Sequence, residues 1–244
     1  MQDIIAQTES YDRNRSPSFV DLRDFADRRW GDIPSRDDFL ASRHALSANG
    51  EESPVGLIAL DAANGAVEAL PLDEFIIVLV GRLHLAGNGQ DLSLTAGDAA
   101  VLGQGLTFSW SADDGTVIIY LRYPESNGSA AMITPIRKDP PLEPSGKPAP
   151  EILLGPAPDC RNFNDYRVDG GRFVCGTWDS TAYRRSGFLY GHYEIMHLTQ
   201  GSVTLSDQGR TQLFSQGDTI LAERGSHCSW DSSEHVAKIF AIYR

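Results

Sequence analysis

With 244 residues and 41% hydrophobic composition, the chain is long enough for one large or two small domains, each with its own modest core. A formal charge of −12 argues against nucleic acid, whose phosphates require a basic face, and equally against an anionic membrane surface. The N-terminus, MQDIIAQTES, lacks the basic and apolar regions of a leader, and no run approaches the ~20 apolar residues that span a bilayer. Three cysteines, Cys160, Cys175 and Cys228, cannot all pair and suit a reducing compartment, so the expectation is a soluble, cytoplasmic protein. A Cys160 to Cys175 bridge is the alternative weighed.

Residues 1–39 read as a charged arm, with Arg13, Arg15, Arg23, Arg28 and Arg29 among several aspartates. Its stretch Ser18 to Phe25, SFVDLRDF, carries enough apolar residues for an ordered edge, lying over its own barrel or on a partner subunit. Residues 40–123 follow as short alternating segments separated by turn glycines. In Leu70 to Val80 both faces are apolar, so the strand is expected to be buried on both sides, its second face against the other half of the chain or a partner. Residues 124–159, with eight of the 13 prolines between Pro135 and Pro158, read as an extended linker in which Ile152, Leu153 and Leu154 dock on a barrel. Residues 160–244 repeat the alternating pattern and carry four of the six histidines: His192, His197, His227 and His235.

The two halves are copies. An offset of 120 aligns Gly56 with Gly176, Glu74 with Glu194, Gly81 with Gly201, Gly97-Asp98 with Gly217-Asp218, and Trp110 with Trp230, without insertion. A period this long implies two domain-sized units. Turn signals every 8 to 12 residues or so, with no helical period between them, predict all-β sandwiches or barrels.

Glu194, followed at the seventh position by Gly201, resembles the end of the first cupin motif, and Gly217-Asp218 through Gly225 to Cys228 resembles the second. The resemblance covers both copies and implies an all-β fold of two tandem cupin (RmlC-like jelly-roll) β-barrels, with an N-terminal arm and a proline-rich linker. The run Gly225 to Trp230, GSHCSW, and the closing strand Lys238 to Tyr243 look most like the ureidoglycine aminohydrolase-type cupin family. That likeness implies a divalent metal, manganese in that family, and pairing through sheet edges into a homodimer. The family's first-motif histidines are replaced by Phe188 and Tyr190 in the second copy and by Glu68 and Leu70 in the first; the second-motif histidine is replaced by Cys228 and Phe108.

His192 and Glu194, two apart on one strand face, and Cys228 on a neighbouring hairpin remain as a candidate metal set for Zn, Mn or Fe, although no cofactor is the favoured reading. The same face, with Trp178, Tyr190, His192, Glu194, Met196, Cys228 and Trp230, has the composition of a small-molecule pocket. Arg184 and Arg185, read as loop residues, are placed to receive a ligand carboxylate at its mouth. The glutamate and tryptophan kept in both copies suggest that Trp110 and Trp230 donate to Glu74 and Glu194. No phosphate loop, nucleophile elbow or zinc-finger spacing is present. Three functions follow: binding of a small organic, carboxylate-bearing ligand in the second barrel; a metal-dependent hydrolase of C–N bonds resembling ureidoglycine aminohydrolase; or a non-catalytic assembly module.

Overall fold

The computed structural model describes residues 16–48, 51–128 and 130–244; Arg13 and Arg15 lie outside the described residues. The 120-residue offset holds strand for strand. Asp73–Val80 corresponds to Tyr193–Gln200, Arg82–Gly87 to Ser202–Asp207, Gln90–Thr95 to Arg210–Ser215, Ala99–Leu102 to Thr219–Ala222, and Thr116–Tyr123 to Val236–Tyr243. Every pairing is antiparallel, and each copy folds into a larger and a smaller sheet. The hairpin turns match as well: Asn88-Gly89 and Gln208-Gly209 all have positive φ, as two-residue hairpin turns of the primed kind require.

Alternation along the strands sorts the side chains into three cores. Leu70, Ile76 and Val78 fill the first barrel with Phe39, Phe108, Trp110 and Tyr120. Phe75, Ile77 and Leu79, on the opposite face of the same strand, pack against Ile195, Leu221, Ile239 and Ala241 of the second copy. Both faces of this strand are therefore buried, and the second face meets the other half of the same chain. At about 1.5–3 kcal/mol per fully buried large apolar side chain, this shared core holds the two barrels together. The third cluster, with Met196, Val203, Leu205, Phe214, Cys228 and Trp230, lies inside the second barrel.

The segments ahead of each copy exchange places. Phe19–Asp21 adds a strand to the edge Thr219–Ala222 of the second barrel, with Phe19 opposite Ala222. Ile133–Pro135 does the same for Ala99–Leu102 of the first barrel, with Ile133 opposite Leu102, the counterpart of Ala222. Each exposed edge is thus covered by the segment that precedes the other copy. The arm's strand therefore lies on the second barrel of the same chain, while Phe39 at the arm's end fills the first, the barrel it precedes. Its helix, Leu22–Arg29, starts where the Asp21 carboxylate accepts the Arg23 and Asp24 amides, and it buries Leu22, Phe25 and Ala26 in the shared core.

In the linker, Leu153 bridges to Arg185 and packs on the third cluster, whereas Leu154 stays exposed. All three cysteines are free, so Cys160 and Cys175 do not bridge. Among the described residues, no helix is long and apolar enough to cross a membrane.

Candidate functional site

The second barrel holds a cavity of about 460 Å³. Its floor is built on the pairing of Phe173–Ser180 with Val236–Tyr243, which sets Trp178 opposite Lys238. The Lys238 ammonium lies 2.8 Å from Glu194 Oε1 and 4.8 and 5.4 Å from the ring centroids of Trp178 and Trp230. His192 Nε2 stands 3.5 Å from the other carboxylate oxygen. Burial alone would raise the Glu194 carboxyl, but Lys238 and His192 outweigh it and hold the group well below the usual carboxylate range.

Arg185 forms a second cationic wall. It is a strand residue, on Tyr183–Leu189, rather than the loop residue expected, and is only 5% exposed. Its guanidinium donates to the Cys228 carbonyl and the Tyr190 hydroxyl, both at 2.8 Å, and lies 4.4 Å from the Phe188 ring centroid. Burial raises the Tyr190 phenol despite the nearby Arg185, so it remains a neutral acceptor for that guanidinium. Arg184 points away, paired with Asp231 at the surface. Linker residues Gly146, Lys147, Pro148, Ala149 and Ile152 close the cavity on one side.

Of the residues expected to line a pocket, Trp178, Tyr190, Glu194 and Trp230 do so. His192 stands beside Glu194 and edge-on to Tyr190, and Met196 and Cys228 are fully buried in the third cluster. The expected indole partnership is replaced. Trp230 Nε1 donates to Ser232 Oγ at 3.3 Å, and Glu194 is held by Lys238. In the first barrel Glu74 receives both terminal nitrogens of Arg43, at 2.6 and 3.0 Å, and Arg122 Nε at 3.2 Å. A retained buried carboxylate has therefore found a different cation in each copy. The rest of the first barrel is filled: Phe39 packs edge-on against Phe108, and a cavity of only about 150 Å³ remains beside Arg43 and Glu74.

The donor set does not suit a metal. Among the described residues, no three His, Cys, Asp or Glu side chains converge as metal ligands. The ammonium of Lys238 already neutralises Glu194, and burial, partly offset by Arg185, pushes the Cys228 thiol up to about 11, away from the thiolate that coordinates. Lys238 carried the clearest overlooked signal: it is the one charged residue in VAKIFAIY and shares its strand face with Phe240 and Ile242.

Comparison with known proteins places this site in a cupin barrel. Residues 168–240 match the family model described as the EutQ-like cupin domain, so the second copy is a cupin-family domain, and the fold is all-β, of the jelly-roll type. A structure from Pseudomonas syringae pv. tomato str. DC3000, a protein with unknown function of the DUF861 family, is similar at 27% identity and a TM-score of 0.77, over 86% of this chain and 90% of that one. The cupin 2 conserved barrel domain protein from Leptotrichia buccalis shares the fold at 9% identity and a TM-score of 0.58, over 96% and 100% of the two chains. So does salicylate 1,2-dioxygenase from Pseudaminobacter salicylatoxidans, at 12% identity and 0.55, over 99% and 87%. No curated protein matches the sequence.

Proposed function

We propose that the second barrel binds a small organic carboxylate without a metal, and that the first barrel is structural. The observation that carries this reading is a charge imbalance: two buried cations, Arg185 and Lys238, share one cavity with a single buried carboxylate, Glu194. The hydrogen bonds of Arg185 go to carbonyl and hydroxyl oxygens, which do not neutralise it. Burying a charge without its counter-ion is costly, and a ligand carboxylate supplies one. The excess is local, since the chain as a whole carries −12. Trp178, Tyr183, Phe188 and Trp230 offer apolar surface for the ligand's organic body.

The finer reading, hydrolysis of a C–N bond in the manner of ureidoglycine aminohydrolase, has one observation in its favour, the contact of His192 with Glu194. It needs a metal at the place where Lys238 now neutralises the carboxylate.

Calorimetric titration with a panel of aromatic and aliphatic monocarboxylates and their amides tests the proposal. Acids should bind and amides should not, and Arg185→Gln should weaken the acids by about tenfold or more. Amides that bind as tightly as the acids, or acids that do not bind at all, would overturn it.

A further inference from the structure

The cavity continues well beyond Lys238. It follows one face of the sheet formed by Cys160–Val168, Phe173–Ser180 and Val236–Tyr243, past Val174, Phe240 and Ile242, and ends at Arg167 and Arg244. The register explains why these two arginines meet. Val174 lies opposite Arg167 on one side and Ile242 on the other, so both arginines border the same end of the face.

Both guanidinium groups are fixed by one turn. Arg167 Nη2 donates to the Gly170 carbonyl at 3.1 Å and Arg244 Nη1 to the Gly171 carbonyl at 2.7 Å. The acids of this neighbourhood, Asp169 and Glu125, go to Arg172 instead. Two pre-positioned guanidinium groups bonded to carbonyl oxygens thus face the cavity at the end remote from Arg185, with an apolar strip between.

We infer that the ligand is a dicarboxylate: one carboxylate meets Lys238 and Arg185, the apolar body covers Phe240 and Ile242, and the second carboxylate meets Arg167 and Arg244. The inference rests on the proposed carboxylate site and adds a second anion to it. Guanidinium suits the outer end because its planar fork of donors matches a carboxylate. Glu194 sits opposite Ile242 in the register, and it draws the Lys238 ammonium along the strand toward Arg244. At about 3.3 Å per strand residue, the two cationic ends are then separated by a distance on the order of 10 Å.

Titration of the full chain with a homologous series of straight-chain α,ω-dicarboxylates and their monomethyl esters reads this directly. A diacid of fitting length should bind about tenfold more tightly than its half ester. In the double variant Arg167→Gln, Arg244→Gln that difference should vanish while the half ester binds as before; both positions are exposed at the rim. Half esters that bind wild type as tightly as every diacid would overturn the dicarboxylate and leave the monocarboxylate site standing. A double variant that weakens diacid and half ester alike would likewise overturn it. If neither acid nor half ester binds wild type, the carboxylate site has failed and the second anion with it.

Discussion

Lys238 Nζ and Glu194 Oε1, 2.8 Å apart beneath two indole rings, form the buried ion pair on which the second barrel's cavity is built. The pair spans two strands that are neighbours in the sheet, so it ties the closing strand of the barrel to the strand that carries its first motif. It also fixes the electrostatic character of the floor: the carboxylate is already neutralised, and Arg185 is left as the charge without a counter-ion among the described residues.

Breaking this pair on one side should be expensive. Lys238→Met leaves Glu194 buried without its main cation, which typically costs about 3–5 kcal/mol. Lys238→Met combined with Glu194→Gln removes both charges and should regain most of that loss, as measured by urea unfolding of the single and double variants. Losses that simply add in the double variant would show that the two side chains are not coupled.

The sequence made some of this legible and hid the rest for a physical reason. Side-chain alternation and turn glycines are local, so the strands, the two-sided burial of Phe75 and Ile76, and the matched turns at Gly89 and Gly209 follow from short windows. The glutamate stood out because both copies keep it. Its partners did not, because the counterpart of Lys238 is Ile118 and the sheet register puts Asn162 at the place of Arg43, and comparison of the copies shows only what they share. Tryptophan was retained too and was misread as the partner; Trp230 instead serves the barrel interior, stacked on Tyr183. The exchange of Phe19–Asp21 onto the far barrel depends on pairing across about 200 residues, which no local pattern encodes.

With Lys238 in place, divalent ions should find no site. Mn²⁺, Zn²⁺ or Fe²⁺ added to protein without a histidine tag should leave the melting temperature unchanged, because only an ion that binds the native state raises it. Near-stoichiometric metal in the purified protein that disappears in His192→Ala, measured by elemental mass spectrometry, would sink this expectation.

Phe39 is the plug that separates a filled barrel from an open one. It packs against Phe108 at 5.3 Å and Trp110 at 6.1 Å between ring centroids. Phe39→Ala should cost about 3–5 kcal/mol, the usual penalty for emptying an aromatic core site. Carboxylate binding should be unchanged, since that site lies in the other barrel. A variant as stable as wild type in urea would mean that the first barrel does not depend on this ring.

Acid should loosen the contact between the barrels through His197. Its Nδ1 lies 2.9 Å from Thr219 Oγ1, and Nε2 faces the turn at Gly97 of the first copy, where an added Cβ would stand 3.1 Å away. Burial, with Lys138 and Arg23 nearby and only Asp218 opposing, lowers its pKa from 6.5 to about 4. The unfolded chain therefore binds more protons than the folded one between those values, so stability is complete above pH 6.5 and falls as the pH drops toward 4. The His197 share at pH 5 is about 2 kcal/mol. His44, also lowered by burial and Arg29, acts in the same direction. The Glu194 carboxyl, also held low, likewise contributes stability that is lost as the pH falls, but from the ordinary carboxylate range downward, so a comparison of pH 7 with pH 5 reads mainly the histidines. Urea unfolding at the two pH values should show wild type losing about 2 kcal/mol more than His197→Gln. Equal losses would mean that His197 is protonated in the folded protein as readily as in the unfolded chain.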